Sequence, residues 1–195
     1  TAAEVHAGRY PDPTSAMRAR DVPSRLRGLV RRHLEAMRSA SMGDAGLRRW
    51  RAERLRVALD LLEAMDLQEE RFADDRHVFL GSRLAGRAAT GRVDPEDRLH
   101  LRHHGDRGIR AIAAELEAIG GEPVRLGSSR SRFGTLETIE GVLEGVEFRI
   151  RRCPPNQVPI DAGDLDAGSD VPLVDAVELA QIIDRLEATV DDEPA

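Results

Sequence analysis

Residues 135–152, TLETIEGVLEGVEFRIRR, decide how this chain is read. Apolar and polar residues alternate on both sides of Glu144-Gly145, the pattern of two strands joined by a two-residue turn. With Leu143 opposite Val146, Gly141 falls opposite Phe148 and Ile139 opposite Ile150, all on one apolar face. The other face sets Glu140 against Arg149 and Val142 against Glu147. An opposite-charge cross-strand pair contributes roughly 0.2–1 kcal/mol. A phenylalanine lying over a glycine of the partner strand compensates for the missing side chain. Turn, register and face agree, so the segment predicts a β-hairpin.

Working upstream, Pro123–Leu126 is a short candidate strand, and Gly127–Arg132 (GSSRSR) reads as a polar loop. Residues from about Asp106 to Ile119 carry Ile109, Ile112, Ala113, Leu116 and Ile119 at helical spacing, and Gly120-Gly121 ends the run. That stripe is expected to pack on Ile139, Phe148 and Ile150, giving a small α-β-β-β unit over about 106–153. Asp94-Pro95-Glu96-Asp97 has the form of a helix start: a cap, a proline in the first turn, then acids at the positive dipole end. It predicts a helix reaching His104.

The N-terminal half reads as two amphipathic helices. Ser24 caps the first, which runs to about Ala40 with Leu26, Leu29, Val30, Leu34 and Met37 on one stripe. Met42–Gly46 is a turn. The second helix runs to Leu67 with Leu47, Trp50, Val57, Leu61 and Met65 in period, widened by Leu55, Ala58 and Leu62. Together they predict an antiparallel αα-hairpin. An irregular connector follows, with a short helix capped by Asp74 and passing through Val78, Phe79 and Leu80.

The fold class is therefore α+β: an N-terminal antiparallel helical hairpin, short helices, the α-β-β-β unit and a C-terminal helix. Residues 1–23, broken by Pro11, Pro13 and Pro23, read as a flexible arm. Residues 24–93 hold the helical hairpin and connector, 94–153 the small α+β unit, and 154–171 an acidic linker. In 172–195, Pro172 opens a helix to about Ala188 with Leu173, Val177, Ala180, Ile183 and Leu186 on its apolar side.

All 29 basic residues of the 195 are arginine. Lysine chemistry is thereby excluded: no Schiff base, no Walker A lysine, no kinase lysine. GC-rich codon usage explains the bias, and Asn156 as the sole asparagine agrees, pointing to a high-GC bacterium or its phage. Aromatics make up only 3%, so the core is aliphatic. No apolar run approaches the roughly 18 residues of a membrane span, and no signal-type apolar region is visible. Cys153 stands alone, which fits a reducing cytosol. The expected setting is cytoplasmic, with no membrane partner and no cofactor.

Net charge is −6, but it is polarised. Residues 18–56 hold 12 arginines against four acids, and 153–195 hold one arginine against 11 acids. This asymmetry favours a non-enzymatic interaction or assembly module, acting through a basic helical face and an acidic C-terminal segment on a protein partner or on itself. The alternative is a nucleic-acid-associated protein touching phosphate through Arg27, Arg31, Arg32, Arg48, Arg49 and Arg51. The scarcity of aromatics argues against base stacking there. A third reading is a metal-dependent hydrolase, with Asp97, His100 and His104 on one stripe of the predicted helix. Against it stand the missing glutamate of a zincin motif and the nearby Arg98, Arg102 and Arg107. A second arginine group, with Arg149 and Arg151 on one hairpin face, could form an anion patch with Arg125, Arg130, Arg132 and Arg152. Pairing with Glu137, Glu140 and Glu147 is the favoured explanation for it.

Overall fold

The computed structural model describes residues 24–71, 78–94 and 97–191. The arm predicted over 1–23 and the Asp74 cap lie outside these residues.

Helix α1, Ser24–Arg71, is broken at Gly43, where φ is 72° and ψ 163°. Glycine reaches those angles without steric cost. The break turns the two arms toward each other, and Arg51 Nη2 donates to Glu35 Oε1 at 2.5 Å. On a straight helix those residues would stand about 24 Å apart. The second arm buries its predicted stripe, Leu47, Leu55, Val57, Ala58, Leu61, Leu62 and Met65. On the first arm Val30 is buried, whereas Met37 is 57% exposed.

Six strands follow: β1 (Phe79–Ala85), β2 (Leu99–Gly105), β3 (Glu122–Ser131), β4 (Gly134–Leu143), β5 (Val146–Arg152) and β6 (Leu173–Val174). Helix α2 (Ile109–Ala118) lies between β2 and β3, and α3 (Ala176–Asp191) follows β6. The sheet order is β3-β4-β5-β2-β1-β6. Only β2 and β5 pair in parallel. The fold is mixed α+β; the expected β-hairpin is part of a larger sheet, and the expected helix packs on it.

The β4–β5 hairpin has the register read from the sequence, Leu143↔Val146, Gly141↔Phe148 and Ile139↔Ile150. Glu144 and Gly145 both have positive φ, 50° and 75°, the mirror-image turn whose twist suits a hairpin. Arg149 Nε donates to Glu140 Oε1 at 2.6 Å. Ile109, Ile112 and Leu116 of α2 share one core with Ile139, Phe148 and Ile150, as the stripe predicted. Ile119, at the stripe's end, is exposed instead. The same core takes in α1, Leu84 of β1, Leu99 and Leu101 of β2, and Leu179 and Ile183 of α3. The three helices therefore cover one face of the sheet.

Several local expectations are overturned. Where a helix from Asp94 to His104 is predicted, residues Leu99–Gly105 form strand β2. Asp94 does not cap it; its carboxylate is buried and accepts from Arg87 Nη1 at 3.0 Å, with Arg38 Nη1 at 3.7 Å. Strand pairing on both sides, with β1 and β5, outweighs the local helix signal. Phe79 and Leu80 open strand β1 and are not helical. Most of GSSRSR belongs to β3, hydrogen-bonded along β4, and is no loop. Leu173 pairs with Ala85 in β6, so the last helix starts at Ala176. Asp175 caps it reciprocally with Glu178: Glu178 N–H donates to Asp175 Oδ1 at 2.9 Å and Asp175 N–H to Glu178 Oε2 at 3.1 Å. Ile183 and Leu186 face inward as read, joined by Leu179 and Ile182, whereas Val177 is exposed.

The acidic stretch 154–171 does not run free as a linker. Val158, Ala162 and Leu165 are buried with Leu136 and Cys153 in a second, smaller core. This stretch lies against the sheet face opposite the helices and shapes the site there.

Candidate anion-binding face

Side chains alternate along a strand, so the two faces of β2 differ. Leu99, Leu101 and His103 point to the helices. His100, Arg102 and His104 point to the outer face. The strand registers then align the outer-face arginines. Arg83 of β1 stands opposite Arg102 of β2, and Arg102 opposite Arg151 of β5. Adjacent strands are about 4.8 Å apart, so three guanidinium-bearing residues form one transverse row. In the neighbouring row His100 stands opposite Arg149, itself opposite Glu140.

Like charges on facing positions of neighbouring strands destabilise a sheet unless something offsets them. The 154–171 stretch does so for two of the three. Arg102, 5% exposed, donates to the carbonyl oxygens of Ala162 and, at 2.8 Å, of Gly163. Burial lowers its pKa from the ordinary value, but an arginine remains charged. Arg151 makes a two-pronged contact with Asp166, both arms at 2.9 Å. Arg83 Nη1 donates to the carbonyl oxygen of Ser82 at 2.9 Å.

The stretch itself is held by Asp164, whose Oδ1 accepts from the N–H groups of Asp166 (2.7 Å) and Ala167 (2.6 Å). Those bonds, Ala167's first, keep the Asp164 carboxyl below its ordinary pKa despite partial burial. Between stretch and sheet lies a cavity of about 330 Å³ that reaches His100, Arg149 and Arg151. A second cavity, about 390 Å³, adjoins it at Ala85, Gly86 and His100 and is walled by Arg87, Arg92 and Arg98.

The two outer-face histidines differ. His104 is fully buried, beside the Val158 backbone; burial first, then Arg102 and Arg83, push its pKa down to about 4. It is neutral at physiological pH. His100 is exposed to the cavities. Desolvation and then repulsion from Arg149, Arg151 and Arg98 lower its pKa.

The residues of the metal reading are not brought together. The helix that would have aligned them is a strand, on which His100 and His104 are about 13 Å apart. Among the described residues no three His, Cys, Asp or Glu side chains gather as a metal site.

Of the helical arginines, Arg32 and Arg49 are exposed and Arg51 is bonded to Glu35. Arg48 is half-buried. The side chains of Arg27 and Arg31 lie outside the described residues. Arg56 pairs with Glu187 of α3, so the basic and acidic ends of the chain meet within one molecule. In the hairpin group, Arg149 pairs with Glu140 and Arg152 with Glu137 at 2.9 Å.

The opposite face of β2 carries a buried polar chain. Ser82 Oγ lies 3.1 Å from His103 Nδ1, and His103 Nε2 lies 2.8 Å from Glu69 Oε1. All three side chains are sealed from solvent. The order serine–histidine–carboxylate is that of a hydrolase triad, but no substrate can reach Ser82. The polar chain ties α1 to β1 and β2. Alternation in LHLRHH (99–104) was the available signal for both faces of β2, and the helix-start motif masked it.

Comparison with protein-family models, curated proteins and solved structures finds no match to this chain.

Proposed function

We propose that this protein is a non-enzymatic binding module whose outer sheet face receives an anionic group, phosphate or carboxylate. The observation that supports this most is the transverse row Arg83–Arg102–Arg151, of which Arg102 and Arg151, with Arg149 beside them, line a solvent-accessible cavity. Arginine's planar fork matches either anion. Asp166 already occupies Arg151 in a bidentate way, so the geometry required for a carboxylate or phosphate is present. A competing anion would displace an exposed aspartate. The acidic C-terminal stretch then acts within the molecule, as the intramolecular partner of the basic face. The test is titration with inorganic pyrophosphate at increasing chloride. Saturable binding that weakens with salt and disappears in the Arg149→Gln/Arg151→Gln double variant is expected. Binding unchanged in that variant would refute the assignment.

A second reading is contact of the α1 hairpin with nucleic-acid phosphates, supported by the exposure of Arg32 and Arg49 on its two arms. It requires salt-dependent binding of duplex DNA or RNA that Arg32→Glu/Arg49→Glu abolishes. Self-association through the same polarised charge would show as a salt-sensitive molecular mass in light scattering.

A further inference from the structure

Among the described residues, three that helical periodicity assigns to buried stripes stand exposed instead: Met37 on α1, Ile119 on α2 and Val177 on α3. Two of them gather at one place. Ile119 and exposed Leu67 line an open groove of about 570 Å³ between the second arm of α1, the end of α2, the β4–β5 turn and the start of α3. Ala176, next to Val177, bounds it on the α3 side, and Leu143 and Ala64 add to its apolar lining. An exposed apolar patch rimmed by polar residues marks a docking surface.

The rim is acidic. Asp60, Glu63 and Glu70 of α1 and Glu144 of the hairpin turn line the groove, are exposed, and make no ion pair among the described residues. Two further acids of the wall are bonded, Glu115 to Arg71 at 3.2 Å and Asp66 to the Ser82 N–H at 3.1 Å. Free carboxylates around apolar side chains call for an occupant that is basic and apolar at once.

The chain carries such a surface itself. On the first arm of α1, Arg32, His33, Ala36, Met37 and Ala40 fall at i, i+1, i+4, i+5 and i+8, one helix face, and all are exposed. No carboxylate interrupts that face. Arg32, and Arg49 beyond the Gly43 break, are exposed and make no ion pair among the described residues. The arm cannot fill the groove of its own molecule. Glu35 is held to Arg51, and Arg51 precedes Glu63 by 12 residues, about 18 Å of helix. The uncovered stripe residue on the basic arm and those at the acidic groove therefore cover each other only between molecules.

We propose that the first arm of α1, led by Met37 and Arg32, docks in the acidic groove of a second copy of this chain. Met37 meets Leu67 and Ile119, and Arg32 meets the carboxylates of the rim. The contact joins unlike surfaces, so arm and groove can be disabled separately. Neither lies on the outer sheet face, and the docking does not rest on the anion-binding reading; it gives self-association its two surfaces.

Light scattering of the full chain at low ionic strength and up to millimolar concentration tests this, with two double variants. Glu63→Arg/Glu70→Arg inverts the rim, and Met37→Glu/Ala40→Glu makes the arm acidic. All of these positions are exposed, and unchanged melting temperatures would confirm that the variants fold. The natural chain is expected to show a mass above that of one copy, falling toward it as chloride is raised. Each variant alone should scatter as a monomer. Their equimolar mixture should recover a mass of at least two copies, because the intact arm of one variant meets the intact groove of the other. A natural chain that stays monomeric throughout overturns the proposal. So does either variant assembling alone as the natural chain does, which places the contact elsewhere, and so does a mixture that stays monomeric. The Arg149→Gln/Arg151→Gln variant, which tests the anion site, should assemble like the natural chain, so the two readings fail separately.

Discussion

Lowering the pH from 7 to 5 should cost this protein about 2 kcal/mol of stability through the single side chain His104. The imidazole is fully buried on the outer sheet face, and its pKa falls from 6.5 to about 4 through burial and then through Arg102, Arg83 and His103. Because the folded pKa lies below the unfolded one, the unfolded chain takes up the proton first. The stabilisation is whole above pH 6.5 and drains away as the pH drops toward 4. Linkage with those two values gives a loss of about 0.2 kcal/mol at pH 7 and about 2 kcal/mol at pH 5. Carboxylates held below their ordinary pKa, Glu35, Glu140 and Asp164, act at lower pH with the same sign. Asp66, raised by burial, opposes them. Urea unfolding at pH 7 and pH 5, for the natural chain and for His104→Leu, separates the histidine from these groups. The natural chain should lose about 2 kcal/mol more than the variant over that interval. Imidazole NMR of the folded protein gives a direct check. A His104 resonance that titrates near 6.5, or equal pH slopes in the two proteins, would refute the reasoning.

Three further outcomes follow from particular contacts. At Gly105 an added Cβ would lie 2.5 Å from Glu69 Oε1 and 2.7 Å from His103 Nε2, so Gly105→Ala must part a buried hydrogen-bonded pair. A loss of about 2–4 kcal/mol in chemical denaturation is expected, and a neutral substitution would show that the pair is not rigidly held. Cys153 is buried and its thiol is pushed up to about 11 by desolvation; a thiol reagent at pH 8 should leave it unmodified in the folded protein and react rapidly once urea unfolds it. Asp175→Ala removes one half of the reciprocal cap on α3 and should lower stability by about 1 kcal/mol, read as a shift in the urea midpoint without a change in slope.

How much was legible depended on how far apart the interacting residues lie. The β4–β5 hairpin was readable to the register because its partners are at most 15 residues apart and its turn chemistry is local. The α2 stripe and the second arm of α1 were readable because a helix shows its buried face through its own periodicity. Strand β2 was misread because Asp94-Pro95-Glu96-Asp97 mimics a helix start, while the forces that make 99–105 a strand come from β1 and from β5, whose Phe148 lies 49 residues beyond Leu99. The acidic stretch looked like a linker because its three buried side chains, Val158, Ala162 and Leu165, are too sparse to register as an element. They become a core only when the sheet supplies the rest of it.

The candidate site was half visible. Arg149 and Arg151 were placed on one face of the hairpin, and the pairing of Arg149 with Glu140 followed from register. Their alignment with Arg102 and Arg83 could not follow, because it requires the parallel β2–β5 pair and the antiparallel β1–β2 pair together. Sequence by itself determined the residue inventory: arginine as the only basic side chain, a basic front and an acidic rear, an aliphatic core, and the local elements whose partners are near in the chain. Tertiary structure alone decided which arginines share a row, which are bound by the folded-back acidic stretch, and which border open space. Charge placement in three dimensions depends on strand pairings between distant segments, and no local pattern encodes those.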